Sequence, residues 1–255
     1  MKLLEFDTAK EALINPWNCV QKIENCPKTV VTCFAHNLID YALEQYEHEE
    51  IGGFTSANGR IPIYKLRVEG KELGLTMSMV GAPAAVAEYE DLAEMGFENF
   101  VVFGTCGVLD ARIEDCAIIL PDKAVRDEGT SYHYAPAGDM LEVNVGTLAC
   151  MKKFFDEKKC TYTVGTCWTN DAVYRETKEK VAGRKAEGCV CVDMECSAIA
   201  AFAQFRQKRV AQFFYAADNL DAGEWDARSL ANHAAMDVKA KILRIAIELG
   251  MAMED

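Results

Sequence analysis

The sequence predicts a single α/β domain, and three observations lead to that prediction. Short β-rich runs alternate with stretches of helical periodicity along the 255 residues, which is typical of an α/β sheet. Half of the residues are apolar, so the chain can fill one large core. No low-complexity stretch and no repeat of roughly 20–50 residues marks a boundary. We therefore treat residues 1–255 as one domain.

Eight segments are predicted to be strands because they are short, rich in β-branched or aromatic residues, and bounded by turn residues. Glu69-Gly70 is predicted to turn a hairpin between the second and third, and Pro121 to end the fifth. In order, the predicted strands are Thr29–Cys33, Ile61–Val68, Leu73–Val80, Asn99–Phe103, Ala117–Leu120, Tyr162–Gly165, Cys189–Val192 and Val210–Ala217.

Five segments are predicted to be helices because their apolar residues recur at spacings of three and four. The last is the clearest, since Ile242, Ala246 and Leu249 share one face and Gly250 ends the pattern. The predicted helices are Asn37–Glu47, Ala84–Met95, Val145–Lys158, one that begins at Ser197, and Ala234–Gly250.

Charge and cysteine content exclude several classes of function. The net charge of −13 opposes binding to nucleic acid or to an anionic membrane, because both need concentrated Lys and Arg. The first residues lack the basic and apolar regions of a signal peptide, and no apolar stretch approaches the ~20 residues that span a bilayer. Eleven cysteines without a CxxC pair, and histidines without an HxxxH pattern, predict reduced thiols, no metal site and a cytoplasmic location.

Small or acidic residues follow three of the predicted strands, at the point where each strand ends. Gly104–Gly107 (GTCG) follows the fourth strand, Asp193-Met194-Glu195 the seventh and Asp218 the eighth. Ligands bind beyond the carboxyl ends of strands in open α/β sheets. We therefore expect these three strand ends to share one pocket.

Each motif has a chemical and a purely structural interpretation. The glycines let backbone amides approach an anion, or they form an ordinary turn. Asp193 and Glu195 can accept hydrogen bonds from the hydroxyls of a ribose diol, with the Met194 thioether against the sugar. Alternatively, the two acids favour the start of a helix through its dipole. Burial of Asp218 would raise its pKa, as a general acid requires, whereas the alternative is a solvated Asp-Asn turn.

Longer stretches resemble the uridine and purine nucleoside phosphorylases. One is Phe100–Pro136 (FVVFGTCGVLDARIEDCAIILPDKAVRDEGTSYHYAP) and another is Thr169–Thr177 (TNDAVYRET). The Met-Glu pair after one strand and the Asp after the next also match, in family order from about Thr29 to Arg228. The resemblance implies a central mixed β-sheet partly closed into a barrel and flanked by helices. It also implies cleavage of the bond between ribose and nucleobase, by a homo-oligomer (dimer, trimer or hexamer).

The resemblance further implies which residues bind the ribose. Glu195 would bind the ribose hydroxyls, with Met194 against the sugar and Asp193 nearby. Thr105 would lie between the ribose and the nucleophile.

Other matched residues are implied to act at the base. Val173 and Tyr174 would wall the base site. Asp218 matches the acid that purine-specific members use at the base, and Arg228, ten residues further on, would be its partner.

The phosphate-binding arginines of the family are not matched. Two positions before the Gly-Thr pair this chain has Val102, and the turn after the first strand, Cys33–Asn37, contains no arginine. Guanidinium groups are the strongest bidentate partners of phosphate. We therefore expect phosphate to bind weakly, through the amides of Gly104, Thr105 and Cys106 and through Arg60 from a neighbouring subunit. Weaker candidates for the cation are Arg126, Lys123 and His36.

Three functions remain open. Phosphorolysis of a ribonucleoside, with inorganic phosphate as co-substrate and no cofactor, is favoured by its frequency in the family. Hydrolysis by water is what nucleosidase relatives catalyse; they also lack the phosphate arginines, but their water-holding acidic N-terminal stretch is not evident here. A non-catalytic nucleoside-binding or storage protein is the third, and Asp218 and Glu195 argue against it. The expected partners are a small-molecule nucleoside, phosphate and further copies of the chain.

Overall fold

The computed structural model describes residues 2–231 and 233–253. Within these residues the chain forms ten strands, seven α-helices and three short 3₁₀ turns. The strands are β1 (Thr29–Cys33), β2 (Glu47–Ser56), β3 (Gly59–Val68), β4 (Lys71–Met77), β5 (Asn99–Val108), β6 (Ile118–Asp127), β7 (Met140–Glu142), β8 (Tyr162–Asn170), β9 (Cys189–Asp193) and β10 (Arg209–Asn219). The α-helices are α1 (Pro16–Cys19), α2 (His36–Gln45), α3 (Ala82–Met95), α4 (Leu148–Glu157), α5 (Lys178–Ala186), α6 (Cys196–Arg206) and α7 (Met236–Ala252). The 3₁₀ turns are Lys2–Leu4, Thr130–His133 and Val173–Arg175.

The strands form one mixed sheet in which five strands close into a barrel. β5 pairs in parallel with β10, β10 antiparallel with β6, and β6 in parallel with β8. β8 then pairs in parallel with β9, and β9 antiparallel with β5, which completes the ring. From β5 the sheet extends through β1, β4, β3 and β2. The implied fold, a mixed sheet partly closed into a barrel, is confirmed.

β5 is the central strand, and its alternating side chains serve two different apolar cores. Phe103 packs on one face with residues of α2 and α7, and its ring stacks on Phe213 at 5.5 Å between centroids. Phe100 and Val102 pack on the other face with residues of α3 and α6. Successive side chains of a strand point to opposite faces, so this alternation fixes which side of β5 each later residue meets.

The predicted hairpin turn is confirmed at Glu69-Gly70. Both residues have positive φ, 50° and 81°, and they join β3 to β4. Two consecutive positive φ angles define the two-residue turn whose twist matches that of paired strands. A glycine at the second position takes this conformation without a steric penalty.

Three strands run at least five residues further than predicted. β5 continues through Gly104–Gly107 to Val108, because this segment pairs with β10 in the barrel wall. β6 passes Pro121 and reaches Asp127 with a register shift just after the proline, which accommodates a residue that lacks an N–H donor. β8 likewise continues to Asn170 alongside β6.

Besides the four-residue helix α1 and the 3₁₀ turns, one helix and two strands were not predicted from the sequence. β2 begins with the acidic run EHEE, whose Glu47 and Glu49 pair with Arg67 and Lys65 on β3, so charge pairing replaces an apolar pattern there. α5 buries only Val181 among its nine residues, which leaves no apolar stripe to recognise. β7 is three residues long.

The C-terminal helix is confirmed, with its start at Met236. Ile242, Leu243 and Ala246 are buried against the sheet. A Cβ atom at Gly250 would lie 3.1 Å from a methyl carbon of Val31, so glycine allows the helix to approach β1 closely. Among the described helices, none is both long and apolar enough to cross a membrane.

Candidate active site

The candidate site surrounds the second half of β5, between β9 and β10. Gly107 pairs with Val192 of β9 on one side and with Asp218 of β10 on the other. A Cβ atom at Gly107 would lie 3.1 Å from a methyl carbon of Val192 and 3.2 Å from Asp218 Oδ1. Because Gly107 has no side chain, β9 and β10 can both approach β5 closely at this position.

The three predicted strand ends do meet, but in a different arrangement. β9 runs antiparallel to β5, so the register that pairs Gly107 with Val192 brings Asp193 beside Cys106, inside β5. Asp218 follows a register shift within β10 and does not end that strand. The prediction that Gly104–Gly107 forms a loop is wrong, because closure of the barrel gives this segment a strand to pair with.

Asp193 is buried, and its hydrogen bonds serve the start of α6. Oδ2 accepts the backbone N–H groups of Glu195 (3.0 Å) and Cys196 (2.6 Å). Oδ1 accepts the hydroxyl of Thr169 (2.9 Å) and the thiol of Cys167 (3.3 Å). Burial raises the pKa of Asp193, and these four donors oppose the rise. These contacts fit the helix-start interpretation, and a direct contact with ribose stays a prediction.

Glu195 is also buried but accepts fewer hydrogen bonds from the protein than Asp193 does. Its Oε1 accepts the N–H of Gly81 at 2.5 Å. Burial raises its pKa, and the nearby charge of Asp193 adds to the rise. An ionised carboxylate offers about four acceptor positions, so Glu195 can accept ligand hydroxyls besides Gly81. Met194, next to it, is half-buried.

The loop between β4 and α3, residues 78–81, contacts Glu195 and is held in place by hydrogen bonds with side chains of α3. Glu88 Oε2 accepts the N–H of Met79 at 2.8 Å, and the hydroxyl of Tyr89 bonds those of Ser78 (2.8 Å) and Thr32 (2.6 Å). Glu88 has no exposed surface, and its Oε1 has no hydrogen-bond partner within the described residues. Burial raises the pKa of Glu88 to about 8. Two buried carboxyls thus hold the same short loop, one at Met79 and the other at Gly81.

Asp218 is partly buried and accepts a hydrogen bond from Trp225 Nε1 at 2.8 Å. Burial raises the pKa of Asp218, while the indole donor opposes the rise. Arg228 is not its hydrogen-bond partner. The guanidinium donates to the carbonyl of Ile113 (2.9 Å) and forms an ion pair with Asp226 (3.6 Å). Arg228 lowers the pKa of Asp218 through its charge alone, and its predicted role as the partner of Asp218 in catalysis stays a prediction.

Val173 and Tyr174, which are expected to wall the base site, shortly precede Glu176, a residue close to Asp218. Val173 and Tyr174 lie in a 3₁₀ turn and are 48% and 96% exposed. Glu176 follows them, and its Oε1 accepts Asn170 Nδ2 at 3.3 Å. Burial raises the pKa of Glu176 to about 7, and the charge of Asp218 contributes. Contact of Val173 and Tyr174 with a base stays a prediction.

A cavity of about 110 Å³ lies beside Thr105, between β5 and the turn after β1. A Cβ atom at Gly104 would lie 2.7 Å from the Phe34 ring, so the two segments touch here. Cys106 does not line this cavity; it is buried in the barrel core, where its thiol meets that of Cys191. Binding of phosphate through the backbone amides of Gly104, Thr105 and Cys106 stays a prediction. The lining residues are Cys33, Phe34, Ala35, Asn37, Phe103, Gly104, Thr105, Tyr215, Leu230 and Lys239.

Arg60 is engaged within its own hairpin. It forms an ion pair with Glu50 (2.6 Å) and donates to the carbonyl of Gly52 (2.9 Å). Its side chain is 47% exposed and does not line the cavity beside Thr105. A contact from a neighbouring subunit stays a prediction, and it would have to compete with Glu50.

The weaker cation candidates also lie away from this cavity. Arg126 is buried, donating to Ser131 Oγ (2.8 Å) and to the Pro136 carbonyl (2.6 Å), so it pins the loop after β6. His36 and Lys123 are exposed. None of the three lines the cavity.

The residues at the site that were not predicted from the sequence include Glu88, Glu176, Trp225 and Lys239. Glu88 and Lys239 are charged residues on the apolar faces of α3 and α7. Burial of a charged side chain costs free energy unless the charge has a partner or a function. A charged residue at an apolar position of a helix is therefore the sequence signal that would have identified Glu88 and Lys239. Glu176 lies inside the matched TNDAVYRET stretch.

One group of potential metal ligands occurs among the described residues. Ligand atoms of Cys167, Asp193 and Cys196 lie within 4.8 Å of one another, all buried. Both oxygens of Asp193 already accept protein donors, including the Cys167 thiol. All eleven cysteines are free. The group is therefore satisfied as part of the core, and the absence of a metal site stays a prediction.

Comparison with known families matches the phosphorylase superfamily over residues 30–248. The chain belongs to this superfamily. The family that the sequence motifs resembled is therefore confirmed. The match includes every residue discussed at the candidate site.

Individual relatives are distant in sequence. A guanosine phosphorylase of Halorubrum lacusprofundi is 26% identical over 166 residues, which cover 65% of this chain and 69% of that protein. A uridine phosphorylase of Salmonella typhimurium is 26% identical over 152 residues, which cover 58% of this chain and 55% of that protein. The sequence match thus spans little more than half the length of the uridine phosphorylase.

Solved structures resemble the chain over most of its length. Uridine phosphorylase from Vibrio fischeri ES114 superposes with a TM-score of 0.76 at 20% identity, covering 91% of this chain and 95% of that one. Purine nucleoside phosphorylase from Toxoplasma gondii, in complex with immucillin-H, superposes with a TM-score of 0.73 at 17% identity, covering 89% and 93%. These superpositions confirm the fold.

Proposed function

We propose that this chain is a nucleoside phosphorylase, which cleaves the N-glycosidic bond of a ribonucleoside to give free base and ribose 1-phosphate. The observation that carries the proposal is the pair of acids on either side of β5. Glu195 follows β9, Asp218 lies on β10, and β5 separates them by a single strand. Glu195 can bind the sugar, and Asp218 can donate a proton to the departing base.

Glu195 holds the ribose in this proposal. Its carboxyl oxygens accept the two hydroxyls of the diol, and these hydrogen bonds favour the ionised form against the effect of burial. The half-buried Met194 packs on the apolar side of the sugar. Asp193 acts indirectly, because it fixes the backbone of Glu195. Hydrogen bonds to the sugar that tighten as the ribose flattens toward an oxocarbenium ion lower the barrier.

Asp218 assists departure of the base. Negative charge develops on the base as the bond stretches, so a carboxyl group with a raised pKa can donate a proton. A positioned acid contributes about 10²–10⁴-fold to the rate. Besides burial, the nearby charge of Asp226 raises the pKa of Asp218 and favours its protonated form. This arrangement favours a purine, in line with the guanosine and purine nucleoside phosphorylases among the similar proteins.

Phosphate is the nucleophile, and it attacks the anomeric carbon from the side opposite the base. Val102, in place of the family arginine, favours a second candidate, hydrolysis by water. Product analysis separates the two. A panel of purine and pyrimidine nucleosides is incubated with and without phosphate, and ribose 1-phosphate is distinguished from free ribose. Phosphate-dependent release of base supports phosphorolysis; equally fast release of free ribose without phosphate overturns it, and no release from any nucleoside supports a binding or storage protein.

Two further properties belong to the proposal. The enzyme works as a homo-oligomer, since the Thr105 cavity and its surroundings hold few basic residues and the family builds its sites near subunit interfaces. It works in the cytoplasm, where its free cysteines, several of them in mutual contact in the core, stay reduced.

A further inference from the structure

A buried lysine lines the cavity beside Thr105. Lys239 lies in the first turn of α7 and is 3% exposed. It occupies the same helix face as Ile242 and Ala246, where an apolar residue is the rule. A lysine buried at such a position costs free energy unless its charge is used.

Contacts with backbone carbonyls position the ammonium group. Nζ donates to Ser229 O (2.7 Å) and to Ala231 O (3.0 Å). An ammonium group carries three donors, and no third acceptor for Nζ is found within residues 2–231 and 233–253. Burial lowers the pKa of Lys239, while Cys116 and Asp115 nearby oppose this shift. The ammonium group is therefore held in a fixed orientation and has one N–H left to donate to a further acceptor.

The cavity itself suits an anion. Its volume of about 110 Å³ is several times what one water molecule needs. In a chain with net charge −13, none of the described residues lining it is a carboxylate, and Lys239 is the cation among them. Ala35, the N-cap of α2, also lines the cavity, so the positive end of that helix dipole adds to the favourable potential.

Lys239 approaches β5 from the face that carries Thr105, opposite to Val102. Side chains alternate along a strand, so Thr105 shares a face with Phe103, which packs against α7. Val102 belongs to the opposite face, packed against α3 and α6. A cation supplied by α7 thus reaches the Thr105 side of the strand directly. The apolar Val102 then fills the other core.

We propose that Lys239 is the cation that binds the phosphate co-substrate in this cavity, together with Thr105 and the N-terminus of α2. The inference rests on the proposed phosphorolysis and adds the residue that replaces the missing arginines. The ammonium group binds phosphate as a point charge, with fewer bonds than a guanidinium fork. Phosphate binding that depends on one such group should be weak and should be lost with the charge.

Two neutral variants test the proposal. Lys239→Met removes the charge and keeps the length of the side chain, and Lys239→Gln keeps an N–H donor for the carbonyls of Ser229 and Ala231. In each, the apparent phosphate KM should rise about 10- to 100-fold, the loss of one charge-assisted hydrogen bond, while the nucleoside KM stays within about twofold. Lys239→Arg should recover part of the phosphate affinity. Lys241→Met, an exposed lysine of the same helix, is the matched control and should change neither constant.

A binding measurement decides the question without turnover. Phosphate should raise the Tm of the wild type and of Lys241→Met, because a ligand that binds only the folded state stabilises it. The rise should be absent in whichever neutral variant folds. An unchanged phosphate KM, or an undiminished phosphate-induced rise in Tm, would overturn the role of Lys239. Phosphate-independent turnover of the wild type would instead overturn the proposed function, and the Tm measurement would still decide whether Lys239 binds the anion.

Discussion

The buried carboxyl of Glu88 gives the sharpest prediction about the pH dependence of stability. Glu88 has no exposed surface, and burial raises its pKa from 4.5 to about 8. Between these two values the folded state holds a proton that the unfolded state has released. The free energy of unfolding therefore falls as pH rises, by about 1.4 kcal/mol per pH unit for this one group. Glu88→Gln removes the titration but keeps an oxygen that accepts the N–H of Met79.

The size of the effect follows from the two pKa values. From pH 5 to pH 7, the free energy of unfolding of Glu88→Gln should rise by roughly 2–3 kcal/mol relative to wild type. Above pH 8 the difference should level off, because Glu88 is then ionised in both states. Near pH 4 the difference is small and reflects only how well an amide replaces a neutral carboxyl group.

Urea unfolding at pH 5, 6, 7 and 8 measures this difference, with the fluorescence of the fully buried Trp168 as the probe. Glu94→Gln, a partly exposed glutamate on the same helix, is the control. It should show no comparable change between pH 5 and pH 7. A Glu88→Gln difference that stays constant over this range would refute the reasoning, since it would mean that Glu88 ionises as easily in the folded as in the unfolded chain.

Three other predictions concern activity and assembly. Glu195→Gln should lower kcat/KM for the nucleoside by about 10- to 100-fold, with the near-ultraviolet circular dichroism unchanged; near wild-type turnover would remove Glu195 from the site. Trp225→Phe removes the indole donor that stabilises ionised Asp218, so the pKa of Asp218 should rise and the alkaline limb of the pH–rate profile should move to higher pH; a shift in the other direction would contradict the role of Asp218 as the acid. Sedimentation should detect at least a dimer at micromolar concentration, and an active monomer would disprove the predicted oligomer.

Some features of the site can be predicted from local sequence, and others depend on the pairing of distant strands. The acidic motif at Asp193–Glu195 could be recognised from the sequence, because a buried strand followed at once by the start of a helix is a local pattern. The contacts of Asp193 Oδ1 with Cys167 and Thr169 could not be recognised, since these two residues come from another strand. The sequence offers Arg60, Arg126, Lys123 and His36 as phosphate cations, whereas Lys239 lies more than a hundred residues after Thr105.

The sequence by itself determined the alternating α/β pattern, the hairpin turn at Glu69-Gly70, the amphipathic C-terminal helix and the family. These depend on residue spacing and on backbone conformations that a few neighbouring residues specify. Tertiary structure alone decided that Gly104–Gly107 is a strand, that Arg228 donates to the carbonyl of Ile113, and that Lys239 lines the cavity beside Thr105. The physical reason is that closure of the barrel brings together strands far apart in the chain. Which groups become neighbours then depends on the pairing register and on helix packing across the sheet, which residue spacing does not encode.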